Sequence, residues 1–153
     1  MTYHEFKSLV TSVLLDMDRV RKGLYSVEAV ELICMICAHE SSGGKYRQQL
    51  GGGPARGVLQ FEERTYNDVW ANSDTIHQVA RELEMHQSFC QVEHDDVHSI
   101  FVARHKIAMD THAIPKSTRG MAEYAKRVWN SELGKATPEK YLHDYELWVS
   151  NGS

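Results

Sequence analysis

The sequence predicts a mainly α-helical protein that folds as a single domain, residues 1–153, and three features lead to that fold class. Through most of the chain, apolar residues recur every three or four positions, which is the spacing of one helix face. The exception is the segment 41–55, where glycines and a proline are concentrated and where turns or a short hairpin are expected. A length of 153 residues is the ordinary size of one domain and allows a proper hydrophobic core.

Two helices are predicted before the Gly-rich segment. Residues 3–21 carry one apolar face. The second helix, from Val27 to about His39, is apolar nearly all round, so it is expected to be the buried, central helix of the domain. Ser26 stands directly before it as a suitable N-cap. Cys34 and Cys37 fall on this helix and are expected to be buried, reduced thiols.

The chain after the Gly-rich segment is predicted to be largely helical, beginning after a short apolar piece at Val58–Phe61. Thr137 followed by Pro138 is a start signal for the last helix. The predicted helices are, in order, Glu62–Trp70, Asp74–Met85, Val92–Asp110, Thr118–Asn130 and Pro138–Val149.

The charge and hydropathy patterns exclude several classes of partner. The formal net charge is −4, acidic and basic residues are interleaved, and no basic patch stands out, so no nucleic-acid partner is expected. No apolar run approaches the ~20 residues that span a bilayer, so no membrane insertion is expected. The N-terminus does not resemble a secretory signal, which favours a cytoplasmic protein or release by another route. A monomer is expected.

Glu40 stands at an unusual place for a carboxylate. It follows an apolar helix and precedes the Gly-rich segment, so it falls in the last helical turn, where the macrodipole disfavours negative charge. Apolar neighbours and a helix C-terminus both raise the pKa of a carboxyl group. A carboxyl group that stays protonated near neutral pH is what a general acid needs. Glu40 is therefore a candidate catalytic acid.

Two blocks around Glu40 resemble the soluble lytic transglycosylases and goose-type lysozymes of the lysozyme-like superfamily. In the first block, HESSGG, the matching positions are Glu40 and Ser41. In the second, GGGPARGVLQFEERT, they are the Gly-x-x-Gln stretch Gly57–Gln60 and then Thr65. The resemblance covers about residues 27–131. It implies an α+β lysozyme-like fold, in which a Gly-rich turn or short hairpin of a helical domain lines a substrate cleft.

A third block resembles the C-terminal helices of phage-encoded members of this superfamily. In ARHKIAMDTHAIPKSTRGMAEYAKRVWN, an Ala-x-Tyr-x-Lys run from Ala122 to Lys126 precedes the aromatic-Asn pair Trp129-Asn130. The family's Tyr-Asn-Ala-Gly form is absent, and WNSELG stands in its place.

The resemblance implies a role for each matching residue. Glu40 would be the general acid that protonates the glycosidic oxygen. In transglycosylases the same carboxylate then acts as base on the sugar's own 6-hydroxyl, whereas in hydrolases a water takes that place. The substrate-binding residues would be Ser41, Gln60, Tyr124 and Asn130. Within that set, Gln60 would hydrogen-bond the sugar or the nearby backbone, Ser41 would brace the helix end or the acid, and Tyr124 would lie near the acid.

An inverting hydrolase needs a second carboxylate about 6.5–9.5 Å from the acid. Glu62 is the first candidate for it, with Glu63 behind it, and Asp110 and Glu123 are further candidates. The alternative for Glu62 and Glu63 is that they are the acidic first turn of a helix, which the helix dipole favours. The sequence leaves the choice between transglycosylase and hydrolase open.

Two other functions are consistent with the residues. A non-catalytic protein of the same fold could bind peptidoglycan or a partner protein. A zinc enzyme could use His94 and His98, which stand four apart in HDDVH on a predicted helix, with His105 or His112 as a third ligand. Zinc proteases of that spacing carry Glu where this chain has Asp, which is one methylene too short for the general base.

The sequence therefore predicts an enzyme that cleaves the β-1,4 bond between N-acetylmuramic acid and N-acetylglucosamine in peptidoglycan glycan strands. No metal and no organic cofactor is expected, because one acid in a preorganised cleft can perform the chemistry. The phage-like third block favours a bacteriophage protein. It would be an endolysin that leaves the host cytoplasm through a holin to reach the cell wall, or a lytic subunit carried in the virion.

Overall fold

A computed structural model of the protein describes residues 1–130 and 134–151, so residue 131, the last of the motif-bearing part, lies outside the described residues. The prediction of a mainly α protein is confirmed, since seven α-helices and one 3-10 helix account for most of the described chain. The α-helices are α1 (Tyr3–Val20), α2 (Val27–Ser41), α3 (Glu63–Asn72), α4 (Ile76–Leu83), α5 (Asp96–Ala108), α6 (Thr118–Val128) and α7 (Pro138–Asn151).

The second helix, α2, is the centre of the domain, as its composition predicts. It packs against α1, α5, α6 and α7, and ten of its fifteen residues are buried, among them Cys34 and Cys37. Ser26 caps its N-terminus by accepting a hydrogen bond from the backbone N–H of Ala29 at 3.0 Å. Leu32, Ile33 and Met35 are fully buried, and each contributes roughly 1.5–3 kcal/mol of transfer free energy.

The prediction of a single helix over Val92–Asp110 is wrong at the N-terminal end. The chain forms a 3-10 helix at Phe89–Glu93 and begins α5 only at Asp96, because the Asp95 side chain caps α5 by accepting from the N–H of His98 at 3.0 Å. An aspartate at an N-cap competes with the continuing helix for backbone N–H groups.

The Gly-rich segment forms turns tied together by two isolated β-bridges, Gln48 with Arg56 and Arg56 with Phe61. Within residues 1–130 and 134–151 no strand is formed, so the expected turns are present and the β part of an α+β fold stays a prediction. In the same part of the chain, no helix combines the length and apolar character needed to cross a membrane.

The C-terminal helix α7 completes the domain by packing along α2. The side chains that reach α2 or α1 recur at positions i, i+3, i+4 and i+7, namely Tyr141, Asp144, Tyr145 and Trp148. This spacing places them on one helix face. Three of the four are bonded to polar side chains of α2, so the α2–α7 contact is unusually rich in titratable groups.

Candidate functional site

Glu40 lies in the last turn of α2, half-buried against α7. The Tyr141 hydroxyl donates a hydrogen bond to its Oε1 at 3.1 Å. Burial raises the pKa of Glu40, while the charge of neighbouring His39 and the bond from Tyr141 lower it, and the net pKa lies above the ordinary 4.5. A carboxyl group with this balance can hold a proton and give it up, as the sequence predicts for a general acid.

Ser41 fixes the end of α2 to the loop that follows. Its hydroxyl is fully buried, donates to the carbonyl oxygen of Val58 at 2.7 Å and accepts from the N–H of Gly44 at 2.9 Å. The expectation that Ser41 braces the helix end is confirmed. Its predicted role in substrate binding stays a prediction, and the hydroxyl is buried with its hydrogen bonds made within the chain.

Gly57 begins the Gly-x-x-Gln loop at a place that only glycine fits. Its φ is +84°, and a Cβ atom there would lie 2.1 Å from the carbonyl oxygen of Val92. Its N–H donates to the carbonyl of Arg47 at 2.7 Å, and the Arg47 guanidinium is held by both carboxylate oxygens of Asp96 at 2.6 and 3.0 Å. The start of the loop is therefore held between the backbone of Arg47, which accepts its hydrogen bond, and the backbone of Val92, which lies close against it.

Gln60 closes this loop in a left-handed conformation, with φ of +53°. Its side-chain amide donates to the carbonyl oxygens of Gly57 at 2.9 Å and of Tyr46 at 3.2 Å. A left-handed conformation in a non-glycine residue stores strain of the order of 1 kcal/mol, which the surrounding bonds must offset. Gln60 thus holds the loop through its NH₂ group and lines the same surface groove as Glu40.

We call this surface the acid groove. It consists of two adjoining depressions of about 360 and 250 Å³, which share a wall formed by Glu40, Gln49, Ala55 and Gln60. The smaller depression is completed by His39, Tyr46 and Leu50. The larger one is completed by Phe61, Glu62, Thr65, Lys106, Trp129, Asn130 and Gly134.

The larger depression combines an aromatic surface with polar groups. The Trp129 indole N–H donates to the carbonyl oxygen of Leu59 at 3.2 Å, and its ring packs against Phe61 with 5.1 Å between ring centroids. Lys106 lies over the same indole, its Nζ 5.7 Å from the centroid, and burial lowers the pKa of Lys106. Asn130 lines this depression as predicted and accepts from the Lys126 ammonium at 3.0 Å.

The four candidates for a second carboxylate differ in whether they line the acid groove. Glu62 is exposed and lines the acid groove, whereas the exposed neighbour Glu63 does not. Asp110 is paired with the Arg127 guanidinium at 2.9 Å, and Glu123 is exposed on α6. Since neither Asp110 nor Glu123 lines the acid groove, Glu62 is the candidate that the fold leaves beside Glu40.

Tyr124 does not lie where the resemblance implies. It is buried on α6 and lines a different depression of about 810 Å³, together with Arg104 and Asp110. Burial and the Asp110 carboxylate raise the pKa of Tyr124 to about 12. The placement of Tyr124 near the acid is therefore wrong, and the hydroxyl that contacts Glu40 belongs to Tyr141, seventeen positions further along the chain.

The histidines His94 and His98 are not neighbours on one helix face, since the break before α5 falls between them. The His94 side chain is 77% exposed and contacts Glu93 at 2.8 Å. His98 is fully buried, and its Nε2 lies 2.6 Å from the Tyr66 hydroxyl. In the described ranges, no three histidine, cysteine, aspartate or glutamate side chains are grouped as metal ligands would be.

Comparison with protein-family models, with curated proteins and with solved structures gave no match. The resemblance to the lysozyme-like superfamily thus rests on the sequence blocks alone.

Sequence reasoning missed three features of the acid groove. These are the hydroxyl of Tyr141, the pair of His39 with Asp144, whose Nδ1 and Oδ2 lie 2.7 Å apart, and the cation of Lys106. The first two join residues more than a hundred positions apart. The i, i+3, i+4, i+7 spacing of Tyr141, Asp144, Tyr145 and Trp148 in the last helix was a signal that its inner face is not purely apolar.

Proposed function

We propose that this protein cleaves the β-1,4 glycosidic bond between N-acetylmuramic acid and N-acetylglucosamine in peptidoglycan, with Glu40 as the catalytic acid. One observation carries the proposal. A carboxyl group whose pKa is raised by burial opens onto a groove, and Gln60 of the Gly-x-x-Gln loop lines the same groove. Lysozyme-like glycosidases combine these parts, and the groove supplies them in the expected chain order.

The groove has surfaces suited to a sugar chain. Sugar rings present apolar faces and a rim of hydroxyl groups, which an indole and polar side chains can bind together. Trp129 provides the aromatic face, and Asn130, Glu62 and Gln49 provide polar groups around it. Glu40 lies between this depression and the smaller one, so a chain that fills both would cross the acid.

The reaction begins with the transfer of the Glu40 proton to the glycosidic oxygen, as the bond to the sugar carbon breaks and positive charge develops on that sugar. The resulting Glu40 carboxylate then accepts a proton from the attacking oxygen. In a transglycosylase that oxygen is the sugar's own 6-hydroxyl. In a hydrolase it belongs to water. If that hydrolase is inverting, Glu62, which lines the groove, would take the proton of the water in place of Glu40.

The test is wall lysis by Glu40→Gln, which keeps the shape of the side chain and removes its proton. We expect the release of soluble fragments from purified cell walls to fall at least about 100-fold, the usual contribution of a general acid. Glu123→Gln is the matched control, because Glu123 is exposed and does not line the acid groove. Unchanged lysis by Glu40→Gln would refute the assignment.

A second pair of variants addresses Glu62. Glu62→Gln and Glu63→Gln change neighbouring exposed carboxylates, of which only Glu62 lines the acid groove. If the enzyme is a hydrolase that uses Glu62, lysis falls in the first variant and not in the second. Wild-type activity of both variants would exclude Glu62 as a second carboxylate and leave the two reactions in which Glu40 acts as both acid and base.

A non-catalytic protein of the same fold would bind purified walls through this groove and release nothing. Sedimentation with insoluble peptidoglycan distinguishes the two functions, because wild type and Glu40→Gln would then bind equally and neither would solubilise the wall.

A further inference from the structure

His39 occupies the last turn of α2, directly before Glu40, and is held from α7. Its Nδ1 lies 2.7 Å from Oδ2 of Asp144. Because a carboxylate only accepts hydrogen bonds, Nδ1 carries the proton and Nε2 is the nitrogen whose protonation changes the charge of the ring. The side chains of His39 and Asp144 are 18% and 34% exposed, so the pair is partly shielded from solvent.

The His39 ring is in contact with the group that bonds Glu40. It packs against the Tyr141 ring with 4.2 Å between centroids and a 44° tilt, and the Tyr141 hydroxyl donates to Glu40. His39 and Glu40 also line the smaller depression of the acid groove together. Two α7 residues three positions apart, Tyr141 and Asp144, therefore bind two consecutive residues of α2.

We propose that His39, oriented by Asp144, is a positioning residue that acts on the Glu40 carboxyl group through the charge of its ring. An imidazolium ring beside a half-buried carboxyl group favours the ionised form of that group, and a neutral ring does not. The α7 helix thus acts on Glu40 twice, through the hydrogen bond from Tyr141 and through the orientation of His39. Its significance for catalysis rests on the proposed function, whereas the charge coupling itself does not.

Other titratable groups line the acid groove from the remaining elements. Lys106 reaches the acid groove from α5, Glu62 from the turn before α3, and Tyr46 from the Gly-rich segment. These groups are unchanged when His39 is replaced. The effect of His39→Gln is therefore that of the pair, because the Asp144 carboxylate stays in place when the charge of the ring is removed.

The experiment is a ¹³C NMR titration of the Glu40 side-chain carboxyl carbon, assigned by its disappearance in Glu40→Gln. In His39→Gln, which can still bond Asp144 but carries no charge, we expect the pKa of Glu40 to rise by about half to one unit. In His39→Arg, which keeps a cation at every pH, we expect it to stay at or below the wild-type value. His143→Gln removes an exposed imidazole of α7 and serves as the matched control, with no shift expected.

The wild-type protein supplies a second measurement that does not depend on a variant folding. The Glu40 carboxyl carbon and the His39 ring carbons should each show two inflections with pH, because each group responds to ionisation of the other. A single inflection in both curves, or a Glu40 pKa that is the same in folded His39→Gln and wild type, would overturn the proposal.

Wall lysis against pH then connects the coupling to activity. We expect the alkaline limb of the rate profile to move upward in His39→Gln by the same amount as the Glu40 pKa. If the titration shows the coupling but Glu40→Gln still lyses walls at the wild-type rate, the proposed function fails and the coupling stands.

Discussion

Glu31 and Glu40 lie on the same helix, and a tyrosine of α7 bonds each of them, yet their pKa values move in opposite directions. Burial raises the pKa of Glu31, but hydrogen bonds from Tyr145, Lys7 and Tyr3 and the Lys7 charge outweigh it, so the net pKa lies below 4.5. Glu40 has one such donor, and its net pKa lies above 4.5. Greater burial and fewer donors both move the pKa of Glu40 upward relative to that of Glu31.

The difference shows how one helix can carry a carboxylate that stays ionised and another, the proposed catalytic acid, that is disposed to hold a proton. Glu31 receives the Tyr3 hydroxyl at 2.7 and 2.8 Å and the Lys7 ammonium at 2.9 Å, besides the Tyr145 hydroxyl. It ties α1, α2 and α7 together and stays ionised. Glu40 is left short of donors at the edge of the acid groove, so it can take up a proton and release it.

Among the variants that test this comparison, Glu31→Gln is expected to change stability the most. The change removes the negative charge that three donors share, so we expect the free energy of unfolding to fall by roughly 2–3 kcal/mol. Urea denaturation at pH 7 measures it. An unfolding free energy within about 0.5 kcal/mol of wild type would show that the cluster contributes little to stability.

Glu40→Gln should raise the free energy of unfolding, whereas Glu31→Gln lowers it. It removes a carboxylate whose ionised form is disfavoured by burial, so we expect a gain of roughly 0.5–2 kcal/mol at pH 7, in the same denaturation experiment. A loss of stability in Glu40→Gln similar to that in Glu31→Gln would mean that the two carboxylates are equivalent and would remove the contrast.

The two tyrosines extend the test to α7. Tyr145→Phe removes one of the donors to an ionised carboxylate, and we expect it to cost about 1–2 kcal/mol. In the described part of the chain, Tyr141 is the only side chain that donates a hydrogen bond to Glu40. Tyr141→Phe should therefore raise the pKa of Glu40 further, with a smaller loss of stability than Tyr145→Phe. NMR titration and denaturation of both variants check this. Equal losses in the two variants would contradict it.

The smallest expected effect is that Glu31 and Glu40 make stability depend on pH in opposite ways. Glu31, with a lowered pKa, contributes stability above its unfolded value near 4.5 and loses it as pH falls through the folded pKa. Glu40, with a raised pKa, contributes stability below that value and loses it as pH rises through the folded pKa. The gain from Glu40→Gln should therefore vanish at pH 3–4, and the loss from Glu31→Gln should shrink there.

Local signals predicted much of the fold. The N-cap of α2 by Ser26, the start of α6 after Ser117 and the start of α7 at Pro138 follow from residues within one turn of each helix. The start of α5 was missed because Val92 and Ile100 have the spacing of one helix face, while Asp95 caps a new helix between them. A capping side chain overrode the hydrophobic pattern there.

The candidate site was predictable only in its local part. Glu40, Gln60 and Asn130 line the acid groove as the sequence blocks suggest. The placement of Tyr124 was wrong, because its position depends on how α6 turns against α7, which no local pattern records. Tyr141 and Asp144 reach α2 from the far end of the chain, and such pairings appear only once the helices pack.

The most direct test of the account is mass spectrometry of the products released from purified peptidoglycan by the wild-type protein. We expect soluble muropeptides cut between N-acetylmuramic acid and N-acetylglucosamine. Anhydro-muramic ends, lighter than reducing ends by one water, would identify a transglycosylase, and reducing ends would identify a hydrolase. Release of no soluble fragment from several wall types would contradict the account, because the acid groove would then not be a glycosidase site.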